Sequence, residues 1–263
     1  MMPTISIIGA GNVAWHLVNR LAKAGFDIKE VCGRKREEAA LFESLREGLL
    51  YISDLISMSS NADIYILCVS DDAIGEVLKS IPFKFSDKQI LIHTSGSVPS
   101  TILSEYATHF GVLWPVMSLT KNVEPQYVDT IPYVITSSND YVTNHLEILA
   151  GHMSNQCTIM PDEKRIQLHL AAVMTNNFSN HLYTLTEAYC QKKELNFDLL
   201  KDIIRETAYK IQKTSPSLLQ TGPAKRKDKL TIEKHLRMLE DQPELYKIYC
   251  LFTDSIIQKY NPE

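Results

Sequence analysis

Hydrophobic positions in the first half of the chain form short runs that alternate with longer helical stretches. Several runs are almost continuously apolar, which is typical of parallel strands covered by helices on both faces. The strand candidates are Thr4–Ile8, Ile28–Cys32, Ile64–Val69, Gln89–His93, Val112–Trp114 and Tyr133–Thr136. Strands that alternate with helices in this way predict an α/β fold with a doubly wound, mostly parallel sheet.

After about residue 155 the hydrophobic spacing becomes helical, and prolines separate the helical segments. The predicted helices are Ile166–Gln191, Phe197–Lys213, Thr231–Leu239 and Pro243–Tyr260. The pattern therefore predicts two domains. Residues 1–155 would form a Rossmann domain, and residues 156–263 would form an all-helical domain.

The first predicted strand runs into a glycine-rich loop with the sequence Gly9-Ala10-Gly11-Asn12-Val13-Ala14. This is the G-x-G-x-x-A pattern of a dinucleotide site, and the βαβ unit closes within about 30 residues. Gly9 permits the tight turn, and Gly11 lets the backbone approach a pyrophosphate bound at the helix N-terminus. We expect Gly9, Ala10, Gly11, Asn12 and Val13 to bind a dinucleotide. A tight turn without a ligand is the alternative.

The second strand leads into a basic segment, Cys32-Gly33-Arg34-Lys35-Arg36, where an NAD enzyme carries an acidic residue. A guanidinium at Arg34, with Lys35 beside it, can hold the 2′-phosphate of NADP. The alternative is a solvated basic helix start, which the helix dipole would disfavour. The sequence therefore predicts NADP(H) as the cofactor.

Two polar segments follow later strands at the sheet edge where ligands of open α/β sheets bind. Val69, Ser70 and Asp71 follow one strand, and Ser95 and Gly96 follow the next. We expect these residues to line the path of the ribose and nicotinamide. For Asp71 and for Ser97, capping of the following helices is an equal alternative, and the two roles are compatible.

The predicted helix from Ile166 to Gln191 carries a single charged residue, so we expect it to be buried on nearly all sides. At about 100° per residue, His169, Asn176, Asn180, Tyr183 and Glu187 fall on one stripe. Buried polar groups need partners, which substrate, cofactor, another helix or trapped water could supply. His169 and Asn176 are candidate catalytic residues, and Asn180 is a candidate substrate-binding residue. For His169, an ordinary interior histidine is the alternative.

A turn at Gly222-Pro223 precedes a cluster of cations that begins with Lys225 and Arg226. Such a loop can bind a phosphate or a substrate carboxylate, or it can be a solvated surface loop. Lys225 and Arg226 are therefore candidate substrate-binding residues.

Composition narrows the function classes. The net charge of −4 argues against a general nucleic-acid binder, and the apolar runs are too short for a membrane span. Five scattered cysteines without a CxxC pair predict neither a zinc site nor a dithiol redox site, so we expect no metal. The N-terminus lacks the pattern of a signal peptide, which predicts a cytoplasmic protein.

These features resemble a known superfamily over nearly the whole chain. The glycine loop, the segments around Ser70 and Ser95 and the long second-half helix resemble the pyrroline-5-carboxylate reductase and 6-phosphogluconate or β-hydroxyacid dehydrogenase group. His169, the Asn176-Asn177 pair, the Lys225 loop and His235 resemble a subgroup of uncharacterised Rossmann-like oxidoreductases with a helical domain of unknown function. The resemblance implies NADP binding by the first domain, dimerisation through the helical domain and an active site between them.

The chain departs from those families at three places. Val173 stands three residues before Asn176, where β-hydroxyacid dehydrogenases carry a catalytic lysine. The sixth-strand motif is Trp114-Pro115 where the subgroup commonly has His-Pro, and the Gly222 turn differs from that of the pyrroline-5-carboxylate reductases. Hydroxyacid oxidation by the lysine mechanism and proline synthesis are therefore not supported.

The leading hypothesis is an NADP-dependent oxidoreductase that moves hydride between NADPH and a small C=O or C=N substrate. His169 would donate a proton or polarise the carbonyl, Asn176 would orient the substrate, and Lys225 or Arg226 would hold a carboxylate. The alternative is a sensor or scaffold that binds the dinucleotide without catalysis.

Overall fold

A single sheet organises the first part of the computed structural model, which describes residues 2–262; in that range the sheet has eight strands. The strands are Thr4–Ile8 (β1), Asp27–Cys32 (β2), Leu50–Ile52 (β3), Ile64–Leu67 (β4), Ile90–His93 (β5), His109–Pro115 (β6), Tyr133–Ser137 (β7) and Cys157–Ile159 (β8). Their order is β3-β2-β1-β4-β5-β6-β7-β8. The first six strands pair in parallel, as in a doubly wound fold, and β7 runs antiparallel to β6. The predicted fold class is confirmed.

The helices follow the strands in the first half and continue alone in the second. They are Asn12–Lys23 (α1), Ala39–Glu43 (α2), Ile74–Ser80 (α3), Asp140–Met153 (α4), Asp162–Ala172 (α5), Ser179–Lys192 (α6), Lys201–Ile211 (α7), Pro216–Leu219 (α8), Lys229–Met238 (α9) and Pro243–Tyr260 (α10). A π-helix, Val173–Phe178, joins α5 to α6. No helix within residues 2–262 is long and apolar enough to cross a membrane.

The central strands are buried on both faces, which explains their continuous apolar runs. In β4, Ile64 and Ile66 belong to a core with helices α1 and α4, whereas Tyr65 and Leu67 belong to a second core with α3. Alternate side chains of a strand point to opposite faces, so each face of the sheet has its own apolar layer. This buried centre carries the loops at the carboxyl ends of the strands.

Two strands were not predicted from the sequence. The pairing of β3 with β2 and of β8 with β7 extends the sheet at both sides. All three residues of β8 are exposed, so this strand lacks the buried apolar pattern by which a strand is recognised. Because β8 lies inside the range predicted as all-helical, the expectation of helices alone after residue 155 was wrong at Cys157–Ile159.

The described residues form two compact units that divide between Asn177 and Phe178. The first unit therefore contains α5 as well as the sheet. The sequence placed the domain boundary after residue 155, where the helical spacing begins. That boundary remains a prediction for the start of the all-helical domain.

The long helix differs from its prediction in two ways. Leu170, Met174 and Phe178 are exposed in the single chain, so the expectation that the helix is buried on nearly all sides was wrong for this chain by itself. The π-helix Val173–Phe178 also interrupts it. The α-helical spacing behind the predicted stripe does not hold through a π turn.

Candidate dinucleotide and active site

The glycine loop joins β1 to α1 at the carboxyl edge of the sheet. Gly9 has a φ of +112°, and a Cβ built on it would lie 2.2 Å from the carbonyl oxygen of Cys68. Its backbone N–H donates to the carbonyl of Cys32 at 2.7 Å. Only glycine fits a backbone packed this closely in that conformation. The loop is therefore held against the ends of both neighbouring strands, β2 and β4.

The N-terminus of α1 fits an anion such as a pyrophosphate. Gly11 is the N-cap residue, so it offers no side chain to the free N–H groups of the first turn. Gly11 and Asn12 are exposed, whereas Ala10 and Val13 are partly buried, and the first turn is uncharged. Free N–H groups at the positive end of a helix dipole bind anions well. These residues fit a dinucleotide pyrophosphate.

The end of β2 is shaped by close packing around Gly33. A Cβ on Gly33 would lie 2.5 Å from Ala10 Cβ and 2.2 Å from Tyr51 Oη. Tyr51 Oη donates to the carbonyl oxygen of Lys35 at 2.8 Å and so fixes the basic segment. The side chains of Arg34 and Lys35 are exposed. Two cations are thus presented beside the glycine loop, where the 2′-phosphate of NADP would lie.

The loops after β4 and β5 are tied to each other. Ser97 Oγ donates to the Asp71 carboxylate, and Ser70 and Asp71 are both exposed. Capping, the alternative role for Asp71 and Ser97, is wrong: in the structure of residues 2–262, neither α3, which follows Asp71, nor the 3-10 helix Ser100–Leu103, which follows Ser97, receives a side-chain cap.

The Ser95 side chain stabilises the turn that follows it. Its Oγ accepts from the backbone N–H groups of Ser97 and Val98, at 3.1 and 3.0 Å. The side chain of Val69 lies against the glycine loop, with its Cγ1 3.1 Å from the Cβ position of Gly9. Ser95 and Gly96 are buried and Val69 partly so. The five predicted strand-end residues therefore lie along the loops after β4 and β5, at the edge of the sheet that carries the glycine loop.

A buried ion pair holds the β5 loop against α5. Arg165 is fully buried and donates to the carbonyl oxygens of Ser95 and Val98, at 2.7 and 2.6 Å. It also pairs with Asp162, whose carboxylate accepts from the N–H and hydroxyl of Ser100. Burial by itself would raise the pKa of Asp162, but the hydrogen bonds from Arg165 and Ser100 hold it below its ordinary value. This pair fixes the first turns of α5 on the sheet edge.

His93 ends β5 as a buried, neutral imidazole. Its Nδ1 accepts from the backbone N–H of Ser95 at 3.2 Å. Burial, followed by the nearby Arg165 cation, lowers the pKa of His93 to about 4. A charged imidazole would be poorly solvated there and repelled by the guanidinium. His93 therefore serves the shape of the loop and carries no charge at neutral pH.

His169 lies one turn after Arg165 and reaches the same edge of the sheet. Its ring is 5.5 Å from that of Trp114 between centroids, in an edge arrangement. A Cβ on Gly96 would lie 2.4 Å from His169 Cδ2, so the glycine makes room for the imidazole. His169 is only partly buried and so is not an interior histidine. The structure brings together His169, Gly96 and Trp114, at the carboxyl ends of β5 and β6.

The other predicted site residues lie outside this cluster. Asn176 is exposed on the π-helix, and Asn180 is exposed on α6 in the second unit. In the same unit, Lys225 Nζ donates to the carbonyl of Gln220 at 2.7 Å, while Arg226 is exposed. Roles for these four residues remain predictions.

Sequence reasoning missed Arg165 and Asp162. Both stand in a charged first turn of α5, which is the usual composition of a solvated helix start. Ser100, which donates to Asp162, stands 62 residues earlier at the start of the 3-10 helix Ser100–Leu103, so local periodicity carries no signal for the contact. Tyr51 was also missed, because the short strand β3 that carries it was not predicted.

Two family models match separate parts of the chain. Residues 4–96 match the family described as "NADP oxidoreductase coenzyme F420-dependent", and residues 131–256 match the "domain of unknown function (DUF2520)". A comparison with curated proteins finds no significant match.

Solved structures extend the similarity to the whole chain. A protein of Bacteroides fragilis described as a "putative NADP oxidoreductase" is 35% identical, with a TM-score of 0.91 and 98% of both chains covered. The pyrroline-5-carboxylate reductase of Streptococcus pyogenes is 15% identical, with a TM-score of 0.64 over 100% of this chain and 99% of its own. A reductive aminase of Aspergillus terreus, solved with NADPH, is 12% identical, with a TM-score of 0.72 over 97% and 93%.

The last two likenesses concern the fold alone, because so few residues are shared. The first covers nearly all of both chains at an identity that indicates common descent. The chain therefore belongs to the family of NADP oxidoreductases that join a dinucleotide-binding Rossmann domain to a DUF2520 domain, with NADP(H) as cofactor.

Proposed function

We propose that this protein is an NADPH-dependent reductase that acts on the C=O or C=N bond of a small substrate. The observation that carries the proposal is the position of His169. Its imidazole lies against Gly96 and Trp114, at the edge of the sheet that also carries the glycine loop. A group able to exchange a proton therefore stands where open α/β sheets bind their ligands.

The residues at this edge would hold the cofactor in a defined direction. Gly9 to Val13 would hold the pyrophosphate, and Arg34 and Lys35 the 2′-phosphate. Val69, Ser70, Asp71, Ser95 and Gly96 would line the path towards the nicotinamide. When bound, NADPH supplies the hydride.

His169 would donate the proton that completes the reduction, at the oxygen or nitrogen of the substrate. The Trp114 ring restricts the imidazole on one side, and the space left by Gly96 lets the ring approach the sheet edge. Asn176 and Asn180 would orient the substrate by hydrogen bonds. Lys225 or Arg226 would hold a substrate carboxylate, if the substrate carries one.

We also propose that the protein works as a homodimer through its helical domain, 156–263. Within residues 178–262 the buried side chains are those of Cys190, Ala224 and Thr253, so the helices of the second unit leave large apolar side chains uncovered. Uncovered apolar surface of this extent is typical of a protein interface. A second copy would cover it and complete the burial that the low charge of the long helix predicts.

We propose a cytoplasmic location as well. The five cysteines of the chain are all free thiols. Reducing compartments such as the cytosol keep thiols in that state.

The proposal is tested first by binding and then by turnover. NADPH binding is followed by nicotinamide fluorescence, and small keto acids, imines and semialdehydes are then screened for loss of nicotinamide absorbance. With a substrate in hand, His169→Ala is expected to lower kcat by about 10²- to 10⁴-fold, the usual contribution of a general acid, with NADPH affinity unchanged.

His145→Ala is the matched control, because His145 is a partly exposed histidine on α4, beside Met2 and Thr4 at the amino end of β1. It should leave kcat unchanged. Undiminished turnover in the His169 variant would contradict the assignment of His169. NADPH binding without turnover across the whole panel would favour a dinucleotide sensor instead.

A further inference from the structure

The segment that follows β6 crosses α1 and is fastened to it at several points. The backbone N–H of Lys121 donates to Asn12 Oδ1 at 3.2 Å, and His16 Nε2 lies 2.9 Å from the carbonyl oxygen of Thr120. Further along, Glu124 pairs with Lys23 at 3.0 Å. The segment is thus held beside the glycine loop at one end and beside the last turn of α1 at the other.

Lys121 is the residue of this segment that reaches towards the end of β2. Its Nζ lies 2.8 Å from Glu38 Oε1 and 5.9 Å from the centre of the Phe42 ring. Both side chains of the ion pair are 21% exposed, so solvent screens the pair less than an open surface pair. The side chain therefore has a defined partner at the start of α2.

Glu38 stands close to the place where the adenosine ribose would bind. The backbone N–H of Glu38 donates to the carbonyl oxygen of Lys35 at 3.1 Å. The Tyr51 hydroxyl donates to the same carbonyl at 2.8 Å and touches the Cβ position of Gly33. In keeping with this geometry, burial and, next in size, the Glu38 carboxylate raise the pKa of Tyr51. A carboxylate near the adenosine ribose favours NAD, because it accepts from the ribose 2′-OH and repels a 2′-phosphate.

We propose that Lys121 is a specificity-determining residue that makes this site accept NADP(H). By pairing with Glu38 it neutralises this carboxylate, so Arg34 and Lys35 meet the 2′-phosphate without the opposing charge of Glu38. The inference rests on the proposed placement of the 2′-phosphate at Arg34 and Lys35.

The experiment compares the Kd of NADPH with the Kd of NADH by fluorescence titration of the full chain, and so it requires no substrate. Lys121→Met is expected to weaken NADPH binding about tenfold, the effect of one freed carboxylate near a phosphate in a partly buried site. The Kd of NADH should stay within about twofold, because NADH has no 2′-phosphate to repel. The double variant with both Lys121→Met and Glu38→Gln should regain NADPH binding, because the unpaired carboxylate of Glu38 is then absent.

Lys23→Met is the matched control, because it removes the Lys–Glu pair that joins this segment to α1. It should leave the ratio of the two Kd values unchanged. An unchanged ratio in Lys121→Met overturns the inference, as does an equal loss of affinity for both cofactors, which would reflect a displaced segment. Failure of Glu38→Gln to rescue NADPH binding also overturns it, because Lys121 would then contact the phosphate itself.

The proposed function fails in a different way. If the unaltered chain binds neither cofactor, both the dinucleotide site and this inference are wrong. If the unaltered chain binds NADPH but Lys121→Met leaves the ratio of the two Kd values unchanged, the inference is wrong and the proposed function stands.

Discussion

The guanidinium of Arg165 donates a hydrogen bond of 2.7 Å to the backbone carbonyl of Ser95, 70 residues earlier in the chain. His169 follows Arg165 by one helical turn, and Gly96 follows Ser95 directly. The hydrogen bond therefore sets the position of the helix that carries His169 relative to the loop that carries Gly96. A buried charge that is paired and hydrogen-bonded on several sides makes such an arrangement specific.

Loss of the counter-ion of Arg165 should destabilise the fold. Asp162→Asn leaves a fully buried guanidinium with its carbonyl acceptors but without its carboxylate. Breaking a buried pair in this way removes about 3–5 kcal/mol of stability, and we expect the lower end because the Asp162 side chain is 22% exposed. Urea denaturation measures the change as a lower midpoint with an unchanged m-value.

A matched pair elsewhere in the chain supplies the control. Asp202 and Arg205 have the same spacing, but their side chains are 86% and 77% exposed. Asp202→Asn should therefore change stability by no more than about 1 kcal/mol. Equal effects of the two substitutions would contradict the structural role of the Asp162 pair.

The buried His93 should make stability fall in mild acid. Burial and the Arg165 cation lower its pKa to about 4 in the folded chain, whereas the unfolded value is about 6.5. The unfolded state therefore binds more protons between these values, so stability is complete above pH 6.5 and is lost as the pH falls towards 4. The shift corresponds to about 3 kcal/mol, measured by thermal or urea unfolding across that range.

His93→Asn isolates this contribution. The Asn amide oxygen can accept from the Ser95 N–H in place of Nδ1, and the amide does not titrate. The variant should show a flatter stability profile between pH 6.5 and 4. A profile as steep as that of the unaltered chain would show that other groups carry the acid sensitivity.

The features that the sequence predicts well are the local ones. Each of them depends on a few neighbouring residues, as do the apolar runs of β1 and β4 and the spacing of Gly9 and Gly11. Periodicity and backbone sterics are therefore enough to recognise them. The contact between Lys121 and Glu38 joins residues 83 positions apart, and no local pattern records it. The burial of Arg165 could not be predicted for a related reason. A cation in a charged first turn is typical of a solvated surface, and only the folded structure shows that this one is buried at the sheet edge.

Burial of the long helix illustrates a different limit. The sparse charge of residues 166–191 predicts a helix unsuited to water, but composition cannot say which chain would cover it. In the single chain Leu170 and Phe178 are exposed. If a second copy covers these residues, as proposed, the sequence pattern contains information about an assembly that one chain does not display.

Gly96 should be intolerant of a side chain because of His169. A Cβ at this position would lie 2.4 Å from His169 Cδ2 and 2.7 Å from Trp114 Cε2, so the two rings must move apart. Gly96→Ala should therefore lower kcat by about tenfold or more, as displacement of a catalytic group does. Steady-state kinetics measure the effect once a substrate is identified.

The combination with His169→Ala shows whether the effect passes through the imidazole. If it does, adding Gly96→Ala to that variant should lower kcat no further. A full additional loss would mean that the new methyl group obstructs the cofactor or substrate directly.

Apolar residues on α10 should control assembly. Leu251 and Phe252 are 67% and 50% exposed in the single chain, although burying each would contribute about 1.5–3 kcal/mol. If a second copy covers them, the double substitution Leu251→Glu and Phe252→Glu places two unpaired charges in the interface and should give monomers. Sedimentation velocity measures the change.

Ile56→Glu is the control, because Ile56 is 76% exposed in the first unit and lies outside the proposed dimer surface. A dimer that persists in the α10 variant at the same concentration would place the interface elsewhere, whereas a monomeric unaltered chain would contradict the homodimer itself.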